Sequence, residues 1–234
     1  MKEEDGMSSN IMYNKVIEES SLDDAWIKWW YTLKEIKRNG DKVLNSRDGD
    51  VVAEVINATT VISNPRNNIM KNEVRNLSIR YAIGEMLWYM SGNRDLKEIQ
   101  KYTSNWDRMS DDGKVVNSNY GWCIKEKFGF DQWEYVKGLL KEDNNTRQAV
   151  IHIKDADNSY SKDVNCTVYL NFLIREGKLH MLTHMRSNDI WLGFPYDVFQ
   201  FTNMQILMSM ELGIPIGKYT HVVDSLHLYK RDSK

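Results

Sequence analysis

An α+β fold is what this sequence predicts, on three observations. Apolar residues recur at helical spacing in two long stretches, residues 167–186 alternate like the two arms of a hairpin, and a long apolar run follows from Val198 to Leu212. No internal repeat, low-complexity segment or linker divides the 234 residues, so a loose N-terminal segment at 1–20 and a single domain over 21–234 are expected.

In chain order, Leu22, Trp26, Trp29, Trp30, Leu33 and Ile36 predict an amphipathic helix that Asn39-Gly40-Asp41 closes. The turn-rich loop Asn45 to Asp50 carries Arg47 and leads into the β-branched run Val51 to Ile62. From Val74 to Met90 apolar positions return every three or four residues and Ser91-Gly92-Asn93 supplies the stop, which places Glu85 inside an otherwise apolar helix. Residues 103–122 read as irregular, with Trp106, Tyr120 and Trp122 among them. A short helix from Asp131 to Leu140 and a strand from Ala149 to Ile153 come next. Thr167 to Arg175 and Lys178 to Arg186 then form the hairpin arms around a two-residue turn, Glu176-Gly177. After the buried helix of 198–212, Gly213-Ile214-Pro215 breaks the chain before a strand at Tyr219 to Val223 and a short one at Ser225 to Tyr229.

Net charge is −2, from 31 basic and 33 acidic residues scattered along the chain, so no long-range attraction to nucleic acid or anionic membrane is encoded. Any phosphate is gripped locally. Cys123 and Cys166 lack a Cys-x-x-Cys spacing and no secretory leader precedes them, which predicts a reducing, cytoplasmic setting, the host cytoplasm for a phage-encoded protein. The run 198–212 is interrupted by Gln200, Asn203 and Gln205 and falls short of the roughly 20 residues that span a bilayer.

Among the chemical groups, a free cysteine is commonly a packing residue, and Cys123 reads that way. For Cys166 the alternative is a nucleophile, because the hairpin register sets it at the start of one arm with Arg186 at the end of the other, where a guanidinium favours thiolate. Arg47, Arg147 and Arg186 each sit at a loop or strand end beside a small polar residue, as surface ion-pair partners or as forks for phosphate, with Ser187 adding a hydroxyl donor. Glu85 is a satisfied structural carboxylate or a proton-handling group. The tryptophans read as packing residues. The five histidines have no metal-ligand spacing, so no metal site is expected, and Gly193 and Gly217 stand alone rather than in a phosphate loop.

Taken together, these pieces resemble the thymidylate synthases and the related pyrimidine nucleotide hydroxymethylases. In the family's order run Arg47 in an Arg-x-Gly loop, Glu85-Met86-Leu87-Trp88-Tyr89, Trp106-Asp107 and Asn119-Tyr120-Gly121. Thr146-Arg147, Cys166, Arg186-Ser187-Asn188-Asp189, Leu192-Gly193 and His227-Leu228-Tyr229 follow, so the likeness covers about Arg47 to Tyr229. The resemblance implies a mixed sheet packed by helices and a sheet-to-sheet homodimer in which Arg147 reaches the neighbouring subunit's phosphate site. It implies 5,10-methylenetetrahydrofolate as cosubstrate. It also implies that the Cys166 thiolate adds to C6 of a pyrimidine nucleotide, with Glu85 managing protons and Tyr120 helping the C5 proton leave. Arg47, Arg147, Arg186 and Ser187 would hold the 5′-phosphate. His227 and Tyr229 would face the sugar, Asn188 and Asp189 would line the substrate, and Trp106, Asp189 and Gly193 the folate side.

Departures from the synthase pattern bear on the substrate. Synthases have asparagine where this chain has Asp197, and an ionised carboxylate only accepts hydrogen bonds, which matches the C4 amino group and a protonated N3 of cytosine. Asn165-Cys166-Thr167 replaces Pro-Cys-His, Met185 replaces a glutamine, Ser225-Leu226-His227 replaces Asp-Thr-His, and Met109 stands for a second folate-pocket tryptophan. Asn117-Ser118-Asn119-Tyr120-Gly121-Trp122 and Met185-Arg186-Ser187-Asn188-Asp189 look like the bacteriophage deoxycytidylate hydroxymethylases, in which water quenches the exocyclic methylene. Gln148 occupies the place of a second phosphate arginine, and the chain stops five residues after Tyr229, where family members continue with a closing segment. The expectation is a folate-dependent deoxycytidylate 5-hydroxymethyltransferase. The alternatives are a thymidylate synthase, a methylating deoxycytidylate enzyme, a ribose-accepting cytidylate hydroxymethylase and, in a different class, a non-catalytic nucleotide-binding dimer.

Overall fold

Two 14-residue strands, β4 (Gly49–Ile62) and β9 (Ile216–Tyr229), pair antiparallel and form the axis of the molecule. A computed structural model describes residues 11–38, 44–46, 48–156 and 161–233. Before β4 come β1 (Ile11–Tyr13), β2 (Val16–Glu19), α1 (Leu22–Arg38) and β3 (Leu44–Ser46). After it follow α2 (Ile79–Ser91), α3 (Leu96–Gln100), α4 (Tyr120–Lys125), α5 (Gln132–Glu142) and β5 (Val150–His152). The hairpin β6 (Thr167–Arg175) and β7 (Lys178–Met185), then β8 (Asn188–Asp189) and α6 (Gly193–Leu212), lead to β9. Among the described residues the strands form one mixed sheet in the order β1-β4-β9-β7-β6-β5, with β2 and β3 also on β4 and β8 on β9.

The hairpin forms where the alternation places it. Glu176 and Gly177 take φ of 52° and 68°, the left-handed pair that a two-residue turn between twisted strands requires. Other boundaries move for identifiable reasons. Residues 11–19 are not loose, because β1 and β2 run parallel to β4 and complete its edge. The helix expected from Val74 starts only at Ile79: the Asn72 side-chain oxygen accepts from the backbone N–H of Val74 and Arg75, holding a turn, and Ser78 caps the helix by accepting from the Tyr81 N–H. Within the stretch read as irregular, Asn119 caps α4 through the Trp122 N–H at 2.7 Å. The predicted break near Asp224 is absent, since its side chain points to solvent while the ladder continues through Ser225 opposite Ile56. The expected closure of α1 at Asn39-Gly40-Asp41 lies outside the described residues.

α1 and α6 cover one face of the sheet. Trp26 and Trp29 are fully buried beneath α1, and their indole N–H groups donate to the Ile190 carbonyl at 2.8 Å and the Thr60 hydroxyl at 2.7 Å. Removing such a side chain costs a core about 3–5 kcal/mol. α6 is apolar on most of its circumference and buries Phe194, Val198, Phe201, Met204 and Met208. Its polar Gln205 donates through Nε2 to the backbone carbonyls of Leu179 and Lys218. α4 crosses α2 at Gly121, where any Cβ would lie 1.8 Å from the Tyr89 carbonyl oxygen, and this contact sets the Tyr120 ring 5.1 Å from that of Tyr89. No helix of the described residues is long and apolar enough to cross a membrane.

Candidate active site

The ends of β6, β7 and β9, the start of α6 and the inner faces of α2 and α4 open into one cleft of about 790 Å³, within the usual size of a small-molecule site. Cys166, Glu85, Tyr120, Asp197 and Arg186 line it. So do Ser187, Asn188, Asp189, Gly193, Trp106, His227 and Tyr229. Two residues singled out in the sequence stand apart. Arg147 lies on an exposed segment between α5 and β5, away from this cleft, and Arg47 lies outside the described residues, between the cleft-lining Ser46 and Asp48.

Cys166 immediately precedes β6, and its carbonyl accepts from the Arg186 N–H at 2.9 Å, which is the hairpin register closing at its open end. The Arg186 side chain folds back over that junction. Its Nε donates to the Asn165 carbonyl and Nη2 to the Val164 carbonyl, at 3.1 and 2.8 Å, leaving Nη2 3.8 Å from the Cys166 sulfur. Burial nevertheless pushes the thiol up to about 11; Arg186 pulls it down, while Asp197, Asp163 and Asp48 push it further up. The guanidinium favours the thiolate as the sequence suggests, but burial outweighs it, so without ligand the thiol form predominates at neutral pH. Cys123 is a buried packing cysteine, its thiol also raised to about 11 by burial.

Glu85 is buried at the centre of α2 inside a cage of donors. Tyr81 and Tyr89, one helical turn to either side, donate to Oε1 at 2.5 and 3.2 Å, and Gln200 of α6 donates to Oε2 at 2.9 Å. Desolvation outweighs these bonds and raises the carboxyl to about 7. Such a group exchanges its proton at neutral pH. The cage continues outward, as the Trp106 indole N–H donates to the Tyr81 hydroxyl at 2.9 Å. Tyr120 packs between the rings of Tyr89 and Phe201, and burial raises its phenol well above the ordinary value, so it stays protonated.

Asp197, one turn into α6, accepts from Asn188 Nδ2 through Oδ2 at 2.8 Å. Burial, and then the Glu85 charge, raise its carboxyl to about 8, with the Asn188 bond opposing. At neutral pH it is an acid, not the carboxylate expected from sequence. Gly193 packs against this pair: a Cβ there would meet Asn188 Nδ2 at 2.7 Å and Asp197 Oδ2 at 3.4 Å. On the far wall, His227 Nδ1 lies 3.2 Å from the Ser225 carbonyl and donates to it, and Nε2 is buried and without a partner.

A family described as thymidylate synthase matches residues 28–234. The chain belongs to the thymidylate synthase family. Among curated relatives, the deoxyuridylate hydroxymethyltransferase of Bacillus phage SP01 is 32% identical over 215 residues, which is 86% of this chain and 56% of that protein. The protein of the same name from Pseudomonas phage M6 is 27% identical over 191 residues, 80% of this chain and 54% of that one. The chain thus spans a little over half the length of these relatives. In fold it is similar to the crystal structure of thymidylate synthase from T4 phage, with a TM-score of 0.73 at 17% identity over 87% of this chain and 76% of that chain.

Several cleft residues of this thymidylate synthase family member escaped the sequence reading. Tyr81 flanks Glu85 at i−4, and Tyr89, named in the sequence only as the end of its motif, flanks it at i+4, a spacing that signals both contacts. Arg231 spans the cleft mouth, its guanidinium 4.1 Å from the Tyr229 ring centroid, donating to the Asp48 carbonyl at 2.7 Å. Behind the cleft, the fully buried His221 also escaped, and its Nε2 lies 3.0 Å from Asn188 Oδ1.

Proposed function

We propose that this chain carries the catalytic core of a folate-dependent deoxycytidylate 5-hydroxymethyltransferase, acting as a homodimer in which Arg147 completes the partner's phosphate site. The Asn188–Asp197 pair on the cleft wall carries the reading, since it puts a carboxyl where synthases carry an amide.

Arg186 and Ser187 hold the 5′-phosphate together with Arg47 and, from the second subunit, Arg147. His227 Nε2 accepts the sugar hydroxyl, beside Tyr229. A protonated Asp197 suits neutral cytosine, donating to N3 while its other oxygen accepts from the C4 amino group. When Cys166 sulfur bonds to C6, the 5,6-double-bond electrons move into the ring and N3 takes the proton from Asp197. The resulting carboxylate then accepts from both N3 and N4 and balances the developing charge. The Cys166 thiol loses its own proton to water in the cleft as the S–C6 bond forms, and the Glu85 carboxyl, titrating near neutrality, moves protons on the opposite wall. Tyr120, a phenol throughout, passes the C5 proton along a hydrogen bond rather than acting as a phenolate.

Trp106, Met109, Leu192 and Asp189 give the cleft a largely apolar wall with a carboxylate, which fits a flat, partly polar second ligand. Methylenetetrahydrofolate, when bound there, supplies the one-carbon unit.

A second reading is supported by the names of the two phage relatives. With its proton directed at O4 and its other oxygen accepting from N3–H, the same acid also matches uracil, which makes deoxyuridylate the competing substrate. Tritium release from C5-labelled deoxycytidylate, with methylenetetrahydrofolate present, is expected at a rate well above that from labelled deoxyuridylate. Release from deoxyuridylate alone overturns the cytosine assignment, and tetrahydrofolate rather than dihydrofolate as product separates hydroxymethylation from methylation.

A further inference from the structure

Behind Asp197 a chain of buried polar groups runs into the core. Tyr219 hydroxyl lies 2.7 Å from His221 Nδ1, His221 Nε2 lies 3.0 Å from Asn188 Oδ1, and Asn188 Nδ2 lies 2.8 Å from Asp197 Oδ2. Tyr219 and His221 are fully buried, and Asn188 is nearly so. His221 packs edge-on against Phe194 at 5.4 Å, near Phe201 and in line with Tyr219.

A neutral imidazole has one N–H and one lone pair, so the three bonds cannot be polarised independently. Burial lowers His221 to about 3, with His184 adding to the effect, which keeps the ring neutral. With Asn188 Oδ1 facing the ring, Nε2 carries the proton and Nδ1 accepts from the Tyr219 hydroxyl. The amide N–H of Asn188 is then left for Asp197, so Oδ2 must accept and the carboxyl proton belongs on Oδ1. Turning the amide over reverses every bond and moves that proton to Oδ2.

The position of the proton matters because the two bases differ by this exchange. Cytosine requires the O–H at N3 and the acceptor at C4; uracil requires the O–H at C4 and the acceptor at N3. We propose that His221 is a positioning residue whose ring N–H fixes the Asn188 amide, and thereby which oxygen of Asp197 donates to the base, setting the choice between cytosine and uracil. The inference rests on the proposed reading of the cleft as a pyrimidine nucleotide site.

The test compares deoxycytidylate and deoxyuridylate binding to the whole protein by calorimetry. His221→Phe keeps a ring of similar size and removes the N–H, so the ratio of the two affinities should move toward unity by about tenfold, whichever base the native protein prefers. His221→Gln, which keeps an amide N–H donor, should restore most of the ratio. A ratio unchanged in His221→Phe, with both affinities lowered alike, overturns the proposal. Should that variant fail to fold, two-bond 1H–15N correlation spectra of the native protein decide the matter: a proton on His221 Nε2 supports the relay, and a proton on Nδ1 overturns it. The native preference is a separate outcome, since tighter deoxyuridylate binding overturns the cytosine assignment and leaves the relay standing.

Discussion

A guanidinium nitrogen of Arg186 sits 3.8 Å from the sulfur of Cys166, yet the same guanidinium is tied to the carbonyls of Val164 and Asn165. The arginine therefore serves two ends at once, closing the β6–β7 hairpin over the cysteine and offering positive charge to its sulfur. Burial has the largest effect on the sulfur and outweighs that charge, and Asp197, Asp163 and Asp48 add to it, so the thiol rests at about 11.

Alkylation makes this measurable. The rate of Cys166 modification by iodoacetamide, followed by mass spectrometry in the ligand-free protein, should keep rising from pH 7 to beyond pH 10, because thiolate is the reacting species. A plateau reached by pH 8 would contradict it. Arg186→Ala should slow alkylation at any pH in this range, since only the raising influences remain, while Cys166→Ala should abolish the reaction at this site.

Gly193 offers an independent probe of the base-reading wall. In Gly193→Ala the new methyl group would press on Asn188 Nδ2 from 2.7 Å, tighter than real Cβ contacts, and push the amide away from Asp197. Loss of one buried hydrogen bond to an ionisable group is worth about 1–3 kcal/mol. Nucleotide affinity should fall by about tenfold or more, and the melting temperature by several degrees, since the same bond supports the ligand-free fold. Unaltered affinity would show that this wall does not meet the base.

Local signals in the sequence carried the architecture well. The hairpin turn, the buried α6 and the α1 stripe each follow from spacing and turn chemistry, and the resemblance ordered the cleft residues along the chain. What escaped depends on burial and on partners far away in sequence. Asp197 was read as a carboxylate because ionised is its state in water; only its enclosure with Glu85 makes it an acid. Cys166 has one cationic neighbour close in the hairpin register, whereas three acidic residues, Asp48, Asp163 and Asp197, act on it from separate parts of the chain. β1 and β2 are too short to show a period and owe their order to the β4 edge. Ser78 and Asn72, both visible as helix-start residues, would have moved the start of α2 had they been weighed above the apolar pattern.

Glu85 couples the chemistry to stability. Its carboxyl titrates at about 7 in the folded protein and at about 4.5 when exposed, so between these values the native state holds a proton that the unfolded chain has lost. Its contribution is therefore fully present below about pH 4.5, declines as pH rises, and is lost through about pH 7, a span worth on the order of 3 kcal/mol. Glu85→Gln removes the titration while keeping the shape. Urea melts at pH 5, 6, 7 and 8 should show native stability falling more steeply with pH than that of the variant. Turnover gives the second readout, because a general acid–base group contributes about 100-fold or more to rate, and the limb of the pH–rate profile near neutrality should vanish with it. Parallel stability slopes for the two proteins would place the proton elsewhere in the Tyr81–Glu85–Tyr89 cage and remove Glu85 from the proposed chemistry.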